Sequence, residues 1–223
     1  MLRFTGAAAE PLWRDLDLEV PAGGFLAVVG PNGCGKSTLL ACALGTRALS
    51  RGSVLAEGPV GWIPQQRMFP RDLPMRVRDL VSLAAGRAGR DRVRVTRALA
   101  EVGAAGLADR RVGTLSGGQQ QLVRQAQALV REPRLILADE PLLSLDAAAQ
   151  RATMGRLAAC RDAGAAVVLV THAVAPVLGV ADRVLHLGRG GHRLGPPEEI
   201  LDPATLAGLG VAEPAAADPG VRP

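Results

Sequence analysis

The sequence predicts an α/β fold built around a mostly parallel sheet, and three observations support this fold class. Short apolar runs, Phe25–Val29 and Leu135–Ala138, have the length and composition of strands that are buried on both faces. A glycine-rich loop follows the first run and leads into Lys36–Leu44, a segment of good helix formers. The length of 223 residues is suited to one domain with a substantial core.

The glycine-rich loop is the most specific motif of the chain. Residues 30–37 read Gly-Pro-Asn-Gly-Cys-Gly-Lys-Ser and match the phosphate-loop pattern G-x-x-x-x-G-K-[ST] in full. Lys36 is the only lysine among 26 basic residues, so a compact ammonium stands at the one position that must reach between phosphate oxygens. We therefore expect this loop to bind a nucleoside triphosphate. The predicted binding residues are Gly30, Pro31, Asn32, Gly33, Cys34, Gly35, Lys36, Ser37 and Thr38.

A second apolar run ends in two carboxylates, Asp139 and Glu140. Opposite a bound nucleotide, Asp139 is predicted to hold Mg²⁺ together with the hydroxyl of Ser37. Glu140 is predicted to polarise the attacking water as general base. An apolar run followed by Asp-Glu often marks only the end of a strand, and its combination with the phosphate loop is what makes the assignment specific.

The segment Thr114–Gln121 predicts the start of a helix that continues to about Val130. Ser116 is suited to cap this helix, and Gly117 and Gly118 leave backbone N–H groups free to receive an anion. Without further context, the same residues would describe an ordinary capped helix.

Taken in this order, Gly30–Thr38, Leu115–Gln119 and Leu135–Pro141 resemble the ATP-binding subunits of ABC transporters, whose diagnostic pentapeptide is Leu-Ser-Gly-Gly-Gln. The resemblance covers residues 1 to about 203. It implies an ATPase with a phosphate-loop NTPase (RecA-like) core and an inserted helical subdomain, and it implies ATP and Mg²⁺ as cofactors.

The resemblance also assigns roles to residues outside these motifs. Gln65 is implied to bind Mg²⁺ and to sense the membrane partner, and His172 to contact the γ-phosphate. Asp146 lies in the short loop that passes between paired subunits. In that family two ATP-binding domains face head to tail, so that Ser116, Gly117, Gly118 and Gln119 of one copy complete the site of the other. A second ATP-binding domain, either a copy or a homologue, is therefore an implied partner.

Domain boundaries follow from the same resemblance. Residues 1–203 are expected to form the ATP-binding domain, with the helical subdomain inserted at about residues 67–130. That subdomain is predicted to include the helices Val77–Ala85 and Val93–Val102. Residues 204–223, rich in Ala and Pro, are expected to form a carboxyl-terminal tail. The segment Arg67–Asp79 is predicted to belong to the groove that receives a coupling helix of the membrane subunit.

The chain departs from the family pattern at three places. ABC ATPases usually stack an aromatic residue, often Tyr, on adenine, whereas this chain has no Tyr and offers Phe4 or Trp13. Ala173 follows His172 where an acidic residue is common, and Leu122 stands where many members carry Arg. None of these departures removes a catalytic group.

Composition restricts the other functions of the chain. No stretch approaches the roughly 20 apolar residues that cross a bilayer, so we expect neither a signal peptide nor a membrane anchor. Cys34, Cys42 and Cys160 show neither metal-site nor disulfide spacing, which is typical of a reducing compartment. Despite a net charge of +5, the arginines are dispersed and aromatic residues make up 2%, so no nucleic-acid partner is predicted.

The cargo is not named by the catalytic residues. The segments Gly61–Leu80 and Gly195–Leu201 resemble zinc/manganese importer ATPases, so an importer of divalent metal ions is the main prediction. Its implied partners are a transmembrane permease subunit, which would hold the chain at the cytoplasmic side of the cell membrane, and an extracytoplasmic substrate-binding protein. An iron-siderophore or haem importer ATPase and an exporter ATPase are the alternatives. A soluble DNA-associated ABC-type ATPase is the alternative of another class.

Overall fold

The computed structural model describes residues 1–65, 68–86, 91–188 and 191–208. The strands are β1 (Leu2–Ala9), β2 (Trp13–Val20), β3 (Phe25–Val29), β4 (Arg51–Ala56), β5 (Val60–Ile63), β6 (Leu135–Asp139), β7 (Ala166–Val170), β8 (Arg183–Gly188) and β9 (Gly191–Gly195). The α-helices are α1 (Lys36–Ala43), α2 (Val77–Ala85), α3 (Arg92–Glu101), α4 (Gly117–Leu129), α5 (Ala147–Asp162), α6 (Pro197–Ile200) and α7 (Pro203–Gly208).

The main sheet has the strand order β5-β6-β7-β3-β8-β9. Its first five strands are parallel, and β9 pairs antiparallel with β8 at the edge. Every residue of β3, β6 and β7 is buried, which explains why these strands are apolar runs and lack an alternating pattern. The predicted α/β fold with a mostly parallel sheet is confirmed.

A smaller antiparallel sheet, of order β2-β1-β4, covers one face of the main sheet. Phe4 and Leu16 of this sheet pack with Val28, Leu137 and residues of α1 in one apolar cluster. On the other face, Ile136 packs with Leu157 of α5 in a second apolar cluster. The parallel strands are thus covered on both faces, and their carboxyl ends are left to carry the loops of the site.

A third apolar cluster joins α2, α3 and α4, and includes Val81, Leu99 and Val123. The helix α2 has the predicted bounds, and α4 ends one residue before the predicted Val130. The helix α3 begins one residue before the predicted start, because the Asp91 side chain caps it by accepting hydrogen bonds from two backbone N–H groups. Residues 67 and 87–90 of the predicted subdomain lie outside the described residues.

The carboxyl-terminal part of the chain is helical as far as Gly208, so α7 extends into the predicted tail of residues 204–223. Asp202 stabilises its start, because the Asp202 carboxylate accepts a hydrogen bond from the Thr205 N–H at 2.7 Å. Residues 209–223 of the predicted tail lie outside the described residues. In the described part of the chain, no helix has the length and apolar character needed to cross a bilayer.

Candidate nucleotide-binding site

The phosphate loop connects the carboxyl end of β3 to α1. Two of its glycines lie so close to neighbouring elements that no side chain would fit there. Gly30 has a φ of 149°, and a Cβ atom there would lie 2.2 Å from the Leu187 carbonyl oxygen. Gly35 has a φ of 101°, and a Cβ atom there would lie 2.8 Å from the Trp13 ring. The loop can therefore lie close to both β8 and β2 only with glycine at these positions.

Lys36 is buried at the first position of α1, with a relative exposure of 7%. Its Nζ donates hydrogen bonds to the carbonyl oxygens of Gly30 at 2.7 Å and Pro31 at 2.9 Å. The N-cap of α1 is Gly35, and no side chain caps this helix start. The loop is thus folded around the Lys36 ammonium, and the uncapped N–H groups of α1 are available to an anion.

Asp139 and Glu140 follow one another at the carboxyl end of β6 and are each 5% exposed. Burial raises the pKa of Asp139 above its ordinary value, although a hydrogen bond from Ser37 and the charge of Lys36 act in the opposite direction. Glu140 has a φ of 49°, and its N–H donates to the Val170 carbonyl at 2.9 Å. This left-handed turn ties Glu140 to the end of β7.

His172 lies two residues beyond β7 and meets Glu140. Its Nε2 is 3.2 Å from Oε1 of Glu140, and its backbone N–H donates to Oε2 of Glu140 at 3.4 Å. Burial, with a smaller contribution from Asp139, raises the pKa of Glu140 to about 7. Burial and the nearby Lys36 charge lower the pKa of His172.

These groups line one cavity of about 230 Å³, which we call the nucleotide cavity. Its lining residues are Leu12, Asn32, Gly33, Gly35, Lys36, Ser37, Thr38, Gln65, Asp139, Glu140 and His172. Every residue predicted to be catalytic or to bind Mg²⁺ is therefore brought to the same cavity. The remaining predicted loop residues, Gly30, Pro31 and Cys34, are not part of the lining, and Cys34 is buried.

The donor chemistry of the nucleotide cavity fits Mg²⁺. Ser37, Gln65 and Asp139 offer a hydroxyl, an amide and a carboxylate oxygen, which are hard oxygen donors of the kind that Mg²⁺ binds in nucleotide sites. No group of three or more potential metal-ligating His, Cys, Asp or Glu side chains occurs within the described ranges. The donors are thus typical of an ion held partly by phosphate oxygens.

The residues predicted to serve a second subunit lie elsewhere, in a recess of about 840 Å³ that we call the signature recess. It is lined by Met68, Ser116, Gly117, Gly118, Gln119, Leu122, Ser144, Leu145, Asp146 and Ala149. Ser116 and Gln119 form a capping box at the start of α4, and Asp146 caps α5 through a hydrogen bond from the Ala149 N–H at 2.8 Å. The predicted site residues of one chain therefore form two separate groups.

The base-stacking candidates are contradicted by their burial. Phe4 is 1% and Trp13 is 4% exposed, and their rings pack edge to face with centroids 6.3 Å apart. The Trp13 Nε1 donates to the Gly35 carbonyl at 3.4 Å, so this ring lies behind the phosphate loop. Leu12, the adjacent residue, lines the nucleotide cavity and was not predicted from the sequence. No local motif marks it, because its position depends on a contact between β2 and a loop distant in sequence.

Comparison with known proteins agrees with this geometry. Residues 13–143, more than half of the chain, match the family described as ABC transporter. The chain belongs to the ABC transporter family. It contains the ATP-binding domain of that family and is an ATPase, as the predicted resemblance implied.

Individual relatives within the ABC transporter family include two kinds of importer subunit. The chain is 44% identical over 200 residues to the aliphatic sulfonates import ATP-binding protein SsuB 2 of Pseudomonas aeruginosa, an alignment covering 85% of this chain and 71% of that protein. It is 34% identical over 212 residues to the zinc import ATP-binding protein ZnuC of Pseudomonas putida, covering 93% of this chain and 81% of that protein.

Among solved structures, the ABC ATPase resembles an inward-facing ABC transporter assigned to the metal-chelate type. The TM-score is 0.84 at 30% sequence identity, and the match covers 93% of this chain and 87% of that chain. The fold described above is therefore shared with a chain of a solved ABC transporter structure.

Proposed function

We propose that this chain is the ATP-hydrolysing subunit of an ABC importer and works as one of a pair of ATP-binding subunits. One observation carries the proposal: the catalytic groups line the nucleotide cavity, whereas the signature residues line a separate recess of the same chain. A second subunit, placed with its signature recess over the nucleotide cavity, would bring the two groups together. Each chain alone offers half of such a composite site.

In the nucleotide cavity, the triphosphate would be bound by the Lys36 ammonium and by the N–H groups at the start of α1. To reach the phosphates, Nζ of Lys36 exchanges its hydrogen bonds to the Gly30 and Pro31 carbonyls for charge-assisted bonds to phosphate oxygens. Ser37, Gln65 and Asp139 would hold Mg²⁺, which neutralises charge that develops on the phosphate oxygens.

Glu140 is the proposed general base, and His172 positions it. The His172 N–H donates a hydrogen bond to Oε2 of Glu140, and the His172 ring lies against Oε1, so His172 restricts the orientation of this carboxylate at the end of β6. The pKa of about 7 for Glu140 is close to neutral pH. At such a pKa a general base is partly ionised and also accepts a proton effectively. From Lys36 on one side and Glu140 on the other, the attacking water and the γ-phosphate would be held in line.

The proposed assembly contains two ATP-binding subunits, a transmembrane permease subunit and an extracytoplasmic substrate-binding protein. The chain would then be held at the cytoplasmic face of the membrane through the permease. Phe69, in the segment predicted to receive the coupling helix, is fixed to α4 because its N–H donates to Gln120 at 2.7 Å and its ring lies 4.1 Å from the Arg124 guanidinium. If α4 moved, the segment around Phe69 would therefore move with it.

Two cargo classes are each favoured by a separate observation. A divalent metal, which the sequence predicted, is favoured by the similarity to a zinc importer subunit over 93% of the chain. An aliphatic sulfonate is favoured by the higher identity of 44% to a sulfonate importer subunit over 85% of the chain. The ATPase site is shared by both classes, so the cargo must be assigned through the permease and the binding protein.

The test is affinity purification of the Glu140→Gln chain from detergent-solubilised membranes with ATP and Mg²⁺, followed by mass spectrometry. We expect a multi-helix permease, and its cargo is then measured by uptake of ⁶⁵Zn²⁺ or of a labelled alkanesulfonate into cells with and without the chain. The Lys36→Ala chain is the matched control for ATP-dependent capture. Recovery of only soluble, nucleic-acid-associated proteins would contradict the importer and support the DNA-associated alternative.

A further inference from the structure

We propose that a polar cluster, formed by the buried Gln125 and Thr153 and the half-buried Arg156, holds α4 and α5 at a fixed relative position and thereby shapes the signature recess for the partner's nucleotide. These three would be positioning residues, without contact to the nucleotide. The inference rests on the proposed pairing of two ATP-binding subunits and adds residues that no motif marks.

The cluster is linked by four hydrogen bonds. The Arg156 guanidinium donates twice to Oε1 of Gln125, from Nε at 3.2 Å and from Nη2 at 2.8 Å. Oγ1 of Thr153 accepts from Nη2 of Arg156 at 3.0 Å and from Nε2 of Gln125 at 3.1 Å. Each side chain contacts the other two, so the position of α4 relative to α5 is determined in more than one direction.

The cluster lies where two apolar clusters of the protein meet. Val123 and Ala126 of α4 belong to the helical cluster, whereas Ala128 of α4 packs with Met154 and Leu157 of α5 in the sheet cluster. Gln125 and Thr153 are 2% and 1% exposed, so the polar groups join the helices inside an otherwise apolar contact. Apolar packing is not directional and would allow α4 and α5 to shift relative to each other. The hydrogen bonds of the cluster restrict such shifts.

Both helices begin at the signature recess. Gln125 lies nine residues after Ser116, about 14 Å along α4, and Thr153 lies seven residues after Asp146, about 10 Å along α5. Because each helix is a rigid rod over that distance, a rotation or shift at the cluster would move Ser116 relative to Asp146. The cluster therefore controls the distance between the two capped helix starts that face the partner.

Arg156 is a charged residue whose guanidinium donates hydrogen bonds to neutral groups. Its described hydrogen-bond acceptors are an amide and a hydroxyl, and none of the ion pairs within the described ranges includes it. Lys at this position would keep the charge but could not reproduce the planar guanidinium, whose Nε and Nη2 both donate to Oε1 of Gln125 while Nη2 also donates to Thr153. The fork geometry, rather than the charge, is what the cluster needs.

The experiment compares Thr153→Val, which removes the hydroxyl at nearly constant volume, with Thr153→Ser, which keeps it. Arg156→Lys is the second test variant, and Arg94→Met on the exposed surface of α3 is the control. All are made in the Glu140→Gln chain with its folding checked by circular dichroism. ATP affinity is measured by titration of a fluorescent ATP analogue into dilute protein, and ATP-dependent dimerisation by sedimentation velocity.

Thr153→Val removes the acceptor of two hydrogen bonds of the cluster, and Arg156→Lys removes the guanidinium that donates three. For both variants we expect the monomer's ATP affinity to stay within about twofold and dimerisation to weaken about tenfold or more. Thr153→Ser and Arg94→Met should dimerise like the parent. Unchanged dimerisation of folded Thr153→Val and Arg156→Lys, or an equal loss of monomer ATP binding, would overturn the positioning role alone. A parent chain that binds ATP but never dimerises would contradict both the cluster's role and the proposed pairing.

Discussion

Glu140 and His172 contact each other twice, through the 3.2 Å approach of their side chains and through the His172 N–H on the second Glu140 oxygen. Burial acts on the two groups in opposite senses, since it raises the pKa of Glu140 to about 7 and lowers the pKa of His172. In the nucleotide-free chain, the neutral forms of both groups are therefore favoured. The raised pKa of Glu140 should therefore affect both the free energy of unfolding and the rate of ATP hydrolysis.

The first prediction concerns the pH dependence of stability without nucleotide or metal. Below the unfolded pKa of 4.5, Glu140 is protonated in both states; as pH rises to about 7, only the unfolded chain releases the proton. The free energy of unfolding of the parent should therefore fall by up to about 3 kcal/mol across this window relative to Glu140→Gln. Urea unfolding of both chains in EDTA at pH 5, 6, 7 and 8 measures the difference. A difference that stays constant with pH would show that Glu140 titrates normally.

The second prediction concerns turnover by the same variant. Glu140→Gln keeps the hydrogen-bonding shape of the side chain but cannot accept a proton, so kcat for ATP hydrolysis should fall by about 100-fold or more. Nucleotide binding should remain, since Lys36 and the start of α1 are unchanged. Glu10→Gln, an exposed carboxylate outside the cavity, is the control. A variant with parental kcat would exclude Glu140 as the base.

The third prediction separates the charge of Lys36 from its shape. Lys36→Ala should weaken ATP binding about 10- to 100-fold, which corresponds to the loss of a hydrogen bond to a charged group. Lys36→Arg should also bind poorly, because the planar guanidinium is too wide for the space between the Gly30 and Pro31 carbonyls that Nζ now occupies. Calorimetric titration with ATP measures both. Parental affinity in Lys36→Arg would mean that charge alone is required.

The site residues that lie in short continuous motifs could be predicted from the sequence. The phosphate loop, the strand that ends in Asp139 and the capped start of α4 were all predicted, because each depends on local spacing and on burial in a parallel sheet. The roles of the predicted site residues remain proposals. The positions of Leu12 and of the Gln125–Arg156 pair could not be predicted, because each depends on a contact between elements far apart in sequence. Phe4 and Trp13 were offered for base stacking because they are the aromatic residues near the amino terminus, and the sequence did not show that both rings are buried in the core.

The last prediction concerns the base of the nucleotide. Leu12 lines the nucleotide cavity, whereas the rings of Phe4 and Trp13 are buried and do not line it, so we expect the base of a bound nucleotide to lie against residue 12. Leu12→Tyr should therefore tighten ATP binding by about fivefold or more, since stacking of an aromatic side chain on a base contributes roughly 1–3 kcal/mol. The matched control is inorganic triphosphate, whose affinity should not change because it has no base. If Leu12→Tyr tightens triphosphate and ATP equally, or tightens neither, then the base does not lie over residue 12.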